Sequence, residues 1–210
     1  MSPRRAPHAW RRQLGVSAIW LASLCAASAS AQRVPSVDGQ ADIATGVANG
    51  ARGVLAVNQT AGLNNAQANQ VTLTTATATF NDNASAQRSS GAARVPRASA
   101  VISGNAFSNT SGAVLVNQSA GAGNLQRNSV QIGTAAPGVE TVGDGELSAM
   151  VSKNSGVGPS VRVQGVREAA ISNDAFKNVS GIVQINQTAG AGNATANSFV
   201  LRPPAGTLFN

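Results

Sequence analysis

The feature that most constrains this chain is a frame that recurs three times with unchanged spacing. The segments VLAVNQTAGLNNAQANQVTL, AVLVNQSAGAGNLQRNSVQI and IVQINQTAGAGNATANSFVL align on Asn58, Asn117 and Asn186. They share GxxxxNQxAGxxNxxxN without an insertion or deletion. Upstream, ISGNAFSNTSG matches ISNDAFKNVSG, whereas the first copy, IATGVANGARG, keeps only its ends. Repetition at this length predicts stacked supersecondary units. The units are 43–73, 102–132 and 171–201.

Apolar residues alternate on both sides of an Ala-Gly-rich turn in each copy. In the first copy, Leu55, Val57 and Gln59 share one face before the turn, and Asn69, Val71 and Leu73 share one face after it. This pattern predicts a strand, a turn and a strand, arranged as either a hairpin or a β-arch. Folding at the turn should bring the apolar pairs together and place Gln opposite Asn beside the bend. We therefore expect an all-β fold of stacked strand-turn-strand repeats, either a β-solenoid or a cross-β-like stack.

Stacking explains why polar amides recur in register. One strand-turn-strand unit cannot satisfy its own edges, but units stacked about 4.8 Å apart place equivalent residues over one another. Buried Gln and Asn can then form amide ladders. The predicted ladder positions are Gln59, Gln118, Gln187, Asn69, Asn128 and Asn197. The predicted turn positions are Gly62, Gly121, Gly190, Asn65, Asn124 and Asn193.

The segments between the units differ in length and composition. Residues 74–101 start strand-like and become small, polar and weakly basic, and 133–170 are rich in Gly, Pro and Ser. Both are predicted to be irregular linkers, followed after the third unit by a tail at 202–210. A chain of this composition could also be partly disordered, with the repeat a remnant of duplication. The unchanged spacing favours a structural constraint instead.

Residues 1–31 have the pattern of a secretory signal peptide. Arginines precede an apolar stretch at 14–24, and Ala29-Ser30-Ala31 resembles a cleavage site. The remaining chain has no His, Cys, Trp or Tyr. Because four of the 15 basic residues leave and all 8 acidic ones stay, its net charge is 11 − 8 = +3. We expect export through the periplasm to the cell surface or the extracellular space.

This inventory excludes several function classes. A chain without His or Cys offers no convergent acid–base, nucleophilic or metal site, so we expect no enzyme activity, no metal and no cofactor. Weak positive charge without aromatic stacking platforms argues against nucleic-acid binding.

The frame GxxxxNQxAGxxNxxxN, preceded by AFxNxSG, resembles the repeats of bacterial functional-amyloid subunits, particularly the Fap fibre proteins. It is similar, more loosely, to curlin repeats. The resemblance implies self-association into fibres, alone or with a related subunit, after export by outer-membrane machinery. Fap fibre subunits usually carry a cysteine pair near the C-terminus, and the ending RPPAGTLFN has none. This departure leaves room for a minor fibre component or for a relative from another system, such as the curli-like holdfast anchors.

Two hypotheses follow. In the first, the chain is a secreted structural protein that forms or nucleates functional-amyloid-type fibres for biofilm matrix, adhesion or anchoring, using the open edges that most proteins suppress. In the second, it is a monomeric surface adhesin or binding module with a short capped β-stack. Its linkers or its outer face, including Asn58, Asn117 and Asn186, would then bind a surface ligand.

Overall fold

The structure is a computed structural model that describes residues 34–75, 86–89, 93–134 and 165–201. The signal peptide at 1–31, the tail at 202–210 and most of the second predicted linker lie outside these residues. They remain predictions. Within the described residues, no helix has the length and apolar character needed to cross a membrane.

In the part of the chain that the structure describes, nine strands form three parallel three-stranded sheets. The first sheet contains β1 (Ser36–Ile43), β4 (Arg94–Ile102) and β7 (Val166–Ile171). The middle sheet contains β2 (Arg52–Leu63), β5 (Ser111–Ala122) and β8 (Ser180–Ala191). The last sheet contains β3 (Ala66–Thr75), β6 (Leu125–Thr134) and β9 (Ala194–Leu201). The predicted all-β class of stacked strand repeats is confirmed.

Three consecutive strands make one rung of the stack. Rung 1 is residues 34–75, rung 2 is 93–134 and rung 3 is 165–201, with rung 2 in the centre of every sheet. The register is shared by the sheets: Ile43 pairs with Ile102, and Ile102 with Ile171. Gly53, Gly112 and Gly181 are paired in the same way in the middle sheet. Identical residues therefore lie over one another because the frame spacing never changes.

Each rung contains one strand more than the sequence pattern indicated. The strands of the first sheet end where the predicted repeats begin, so β4 and β7 occupy the ends of segments expected to be irregular linkers. Their sequences, RVPRASAVI and VREAAI, share little with each other. The repeat frame could not reveal them because only their last residues, Ile102 and Ile171, belong to the repeated units. Some of the inward positions, such as Ala98 and Ala100, are small residues that need only to fit.

In each rung the second and third strands form a β-arch and not a hairpin, because β2 and β3 belong to different sheets. The middle sheet is covered on both faces. Val114 and Val116 pack with Ile102 of the first sheet, whereas Leu115 packs with Val130 of the last sheet. The expected contact between the Leu55–Gln59 face and the apolar residues after the turn is therefore wrong. The first sheet, which the pattern missed, takes that place.

Candidate functional site

A row of glutamines connects the three rungs through their side-chain amides. Gln118 Nε2 donates to Gln59 Oε1 at 2.8 Å, and Gln187 Nε2 donates to Gln118 Oε1 at 2.8 Å. This row, the Gln ladder, faces the first sheet. Its amides also donate to backbone carbonyls there, at 2.8 Å from Gln59 to Asp42 O and at 2.8 Å from Gln118 to Val101 O. The ladder thus joins rungs to one another and the middle sheet to the first sheet.

Two rows of asparagines interlock between the middle and last sheets. One is Asn58, Asn117 and Asn186, and the other is Asn69, Asn128 and Asn197; together we call them the double Asn ladder. Asn117 Nδ2 donates to Asn58 Oδ1 at 3.0 Å and to Asn69 Oδ1 at 2.9 Å. Asn128 Nδ2 donates to Asn117 Oδ1 at 3.0 Å. Each amide is therefore bonded both along the stack and across the arch, which satisfies polar groups in a buried space.

The geometry of the double Asn ladder corrects two sequence-based expectations. Asn69 lies opposite Asn58 and not opposite Gln59. Asn117 is fully buried and Asn186 is buried, whereas Asn58, at the open edge of rung 1, is exposed. The three residues therefore do not form a continuous outer ligand-binding face. The reason is that the middle sheet has a neighbouring sheet on each side, so neither face of its central strand meets solvent.

A further amide row lies at the turn between the middle and last sheets. Asn124 Nδ2 donates to Asn65 Oδ1 at 3.0 Å, and Asn193 Nδ2 donates to Asn124 Oδ1 at 2.9 Å. The structure places these residues in the turn and also stacks their side chains. Gln67 and Gln126 form one more row, in which Gln67 Nε2 donates a hydrogen bond to Gln126 Oε1 at 2.7 Å. The repeat frame does not include this row because the third copy has Thr195 at the equivalent position.

The glycines expected at the turn lie within the strands, just before the turn. Gly62, Gly121 and Gly190 pair across the rungs, and each has a positive φ. A Cβ built on Gly62 would lie 1.8 Å from Gly121 O, and one built on Gly121 would lie 1.9 Å from Gly190 O. Glycine is required here because the backbone of the next rung occupies the space that a side chain would need.

The corner between the first and middle sheets contains the largest fully buried side chain among the described residues. Phe107 is fully buried and stacks on Phe176, with ring centroids 4.9 Å apart and planes inclined by 15°. Rung 1 has Ala48 at this position, with a φ of 55° close to the 59° of Phe107. The aromatic row therefore covers only two of the three rungs.

Both ends of the stack present strand edges that no further strand of the described residues covers. Rung 2 is almost completely buried across the middle and last sheets, whereas rungs 1 and 3 are half-buried or exposed at many of the equivalent positions. Both ends of the Gln ladder carry a glutamine at the equivalent strand position, Gln59 in rung 1 and Gln187 in rung 3. In the described part of the chain no group of His, Cys, Asp or Glu could hold a metal ion. The candidate functional surfaces are therefore the open strand edges of rung 1 and rung 3.

Parallel strands in register, stacked amide rows and unpaired ends together define a cross-β type of repeat protein. The sequence model of the functional amyloid protein FapB/FapC family matches residues 22–204, so the chain belongs to that family. The family suggested by the NQxAG frame is confirmed. No solved structure matches the chain.

Proposed function

We propose that this protein is a secreted structural subunit whose end rungs pair with further copies or with a related subunit, to form or nucleate a surface fibre. The fibre would serve the biofilm matrix, adhesion or anchoring, and the chain would reach the surface through the periplasm and outer-membrane export machinery. Membership of a functional-amyloid family supports self-association.

The observation that carries this proposal is that the two open edges are complementary in register. If rung 1 of a second copy lies on rung 3, Gln59 falls beside Gln187, Asn69 beside Asn197, and Gly53 beside Gly181. These are the pairings that rung 2 already makes with both neighbours. The junction between copies would then repeat the hydrogen bonds that join the rungs inside one copy, including the 2.8 Å hydrogen bonds of the Gln ladder. Isolated edges of this length are normally protected against such pairing.

A substitution at Gly53 offers a sharp test because it should affect the junction between copies and leave the fold of a single copy intact. A Cβ built on Gly112 would lie 2.1 Å from Gly53 O, and one on Gly181 would lie 1.9 Å from Gly112 O. Gly53 itself has nothing within 4 Å. In a head-to-tail stack, its Cβ would meet the carbonyl of Gly181 in the neighbouring copy. Gly53→Ala should therefore leave the single copy folded and block the junction.

Gly50→Ala is the matched control. Gly50 also has a positive φ, 72°, and nothing within 4 Å. Its equivalents in the other rungs are Asn109 and Asn178, which have side chains and φ values of 56°. A side chain at this position therefore fits the stack. Both substitutions carry the backbone strain of a non-glycine residue at positive φ, about 1–3 kcal/mol, but only Gly53→Ala adds a clash between copies.

The experiment is thioflavin-T kinetics on the processed chain, residues 32–210, with and without preformed seeds. We expect seeded growth in the parent and in Gly50→Ala, and little or none in Gly53→Ala. A variant with Gln59, Gln118 and Gln187 all changed to Lys should also fail to grow. If the parent stays folded and monomeric with seeds present, the fibre role is contradicted and the capped adhesin is favoured. If Gly53→Ala grows like the parent, the junction does not use these edges.

A further inference from the structure

One row of the first sheet that faces the middle sheet has small residues in rungs 1 and 2 and an arginine in rung 3. The row consists of Gly39, Ala98 and Arg167, which pair in register across β1, β4 and β7. The first two are small because the first and middle sheets approach closely: a Cβ built on Gly39 would lie 2.5 Å from Gly121 N and 2.8 Å from Ala61 O. Ala98 is 1% exposed. There is no room in this row for an arginine side chain within the stack.

The Arg167 side chain runs over the open edge of rung 3. A Cβ built on Gly190 would lie 3.1 Å from both Cδ and Nε of Arg167. In rungs 1 and 2, a Cβ built on the equivalent glycine meets the glycine carbonyl of the next rung. It meets Gly121 O when built on Gly62, and Gly190 O when built on Gly121. Arg167 thus occupies the space where the backbone of a further rung would lie.

The strand that carries Arg167 is also the shortest of its sheet. β7 has 6 residues, whereas β1 has 8 and β4 has 9, and Arg167 and its neighbour Glu168 are both exposed. Short edge strands and inward-pointing charges are two devices by which proteins protect sheet edges against unwanted pairing. Both are present at the end of the stack that would receive another copy.

We infer that Arg167 is a gate on the rung-3 edge that slows the addition of a second copy of this chain. The inference rests on the proposed stacking function. Rung 1 of an incoming copy would bring Gly62 over Gly190, so the Arg167 side chain has to leave before the edges pair. Moving and reordering one long side chain costs about 0.5–1.5 kcal/mol. Its removal should therefore accelerate elongation about two- to tenfold.

The test compares elongation of single fibres by total internal reflection fluorescence microscopy, with seeds and monomers of the same variant. Arg167→Ala should extend faster per end than the parent. Arg167→Lys, which keeps a long charged chain, should extend like the parent. Lys177→Ala removes the same charge from rung 3 at a side chain that is 65% exposed and away from Gly190. It should also extend like the parent. Circular dichroism of the soluble monomers checks that folding is retained.

The outcomes separate the gate from the fibre role. An unchanged or slower rate for Arg167→Ala, while Gly53→Ala still blocks growth, overturns the gate and leaves stacking intact. Equal acceleration in Arg167→Ala and Lys177→Ala assigns the effect to net charge and also overturns it. If Arg167→Ala grows where the parent does not, the gate is supported directly. If neither grows, the proposed function fails, and the gate fails with it.

Discussion

The side-chain amide of Gln118 donates to Gln59 Oε1 at 2.8 Å, across 59 residues of chain. Gln118 is fully buried and also donates to the backbone carbonyl of Val101 in the neighbouring sheet. It accepts a bond from Gln187 in turn. One side chain therefore links three rungs and two sheets, and its bonds exist only when all of these elements have assembled in one register.

Gln118→Leu should strongly destabilise the monomer. The substitution keeps the volume roughly constant but removes the hydrogen bonds that the Gln118 amide makes with Gln59 Oε1, Gln187 Nε2 and the first-sheet carbonyls of Ala41 and Val101. Each lost hydrogen bond costs about 0.5–1.5 kcal/mol. We expect a loss of at least about 3 kcal/mol in the free energy of unfolding, measured by urea unfolding with circular dichroism. Gln40→Leu, at an exposed position of β1, is the control and should change stability by less than about 0.5 kcal/mol. Equal effects would show that the buried amide has no special role.

Asn117→Asp should make stability depend on pH. The introduced carboxylate cannot donate, so the bonds to Asn58 Oδ1, Asn69 Oδ1 and Ala68 O are lost. Burial disfavours its charged form and raises its folded-state pKa above the usual value of about 3.9. The destabilisation, about 3 kcal/mol or more at neutral pH, is present above the folded-state pKa. It is relieved as pH falls through that value.

Urea unfolding of Asn117→Asp at neutral and acidic pH, relative to the parent at each pH, measures this recovery. Asn178→Asp is the control, because Asn178 is exposed. It should show little destabilisation at either pH. A constant deficit in Asn117→Asp across this range would mean that the lost donor bonds, and not the charge, dominate.

Gly121→Ala should break the pairing of rungs 2 and 3 near the turn. Its Cβ would lie 1.9 Å from Gly190 O, and the obstacle is backbone that cannot move without losing the register. We expect a cost above about 4 kcal/mol, which is exceptional for one substitution. Hydrogen exchange should show lost protection of the amides in β8 close to Gly190. Gly50→Ala, with space around it, should retain that protection; the same loss in both variants would point to backbone strain instead of the clash.

Ala48→Phe should extend the aromatic row to rung 1 and stabilise the protein. The backbone is already suitable, since φ is 55° at Ala48 and 57° at Phe176. Stacking on Phe107 should add about 0.5–1.5 kcal/mol beyond the area buried. Thermal unfolding measures the gain. Ala48→Leu supplies apolar area without a ring and should gain less; a loss of stability in Ala48→Phe would show that the rung-1 corner cannot accommodate the ring.

The sequence by itself determined which residues stack. The frame recurs without a slip, so Asn69 can lie over Asn128 and Asn197 only if the whole unit repeats in one register, and all three sheets adopt it. The period-two alternation also identified strands on both sides of the turn. These properties are local or repeat along the chain, and for that reason they can be seen in the sequence alone.

Only the tertiary structure decided what covers each face. Alternation shows that Val57 and Gln59 share a side of β2, but not whether β3 or another strand lies opposite. The strand that does so, β1, precedes the repeated frame except for its last residue, Ile43, and therefore has no marked repeat signature. The same long-range packing buries Asn117 and leaves no interior space for Arg167. Contacts between sheets depend on how the chain folds back at its corners, and the corner geometry is set by the assembled stack.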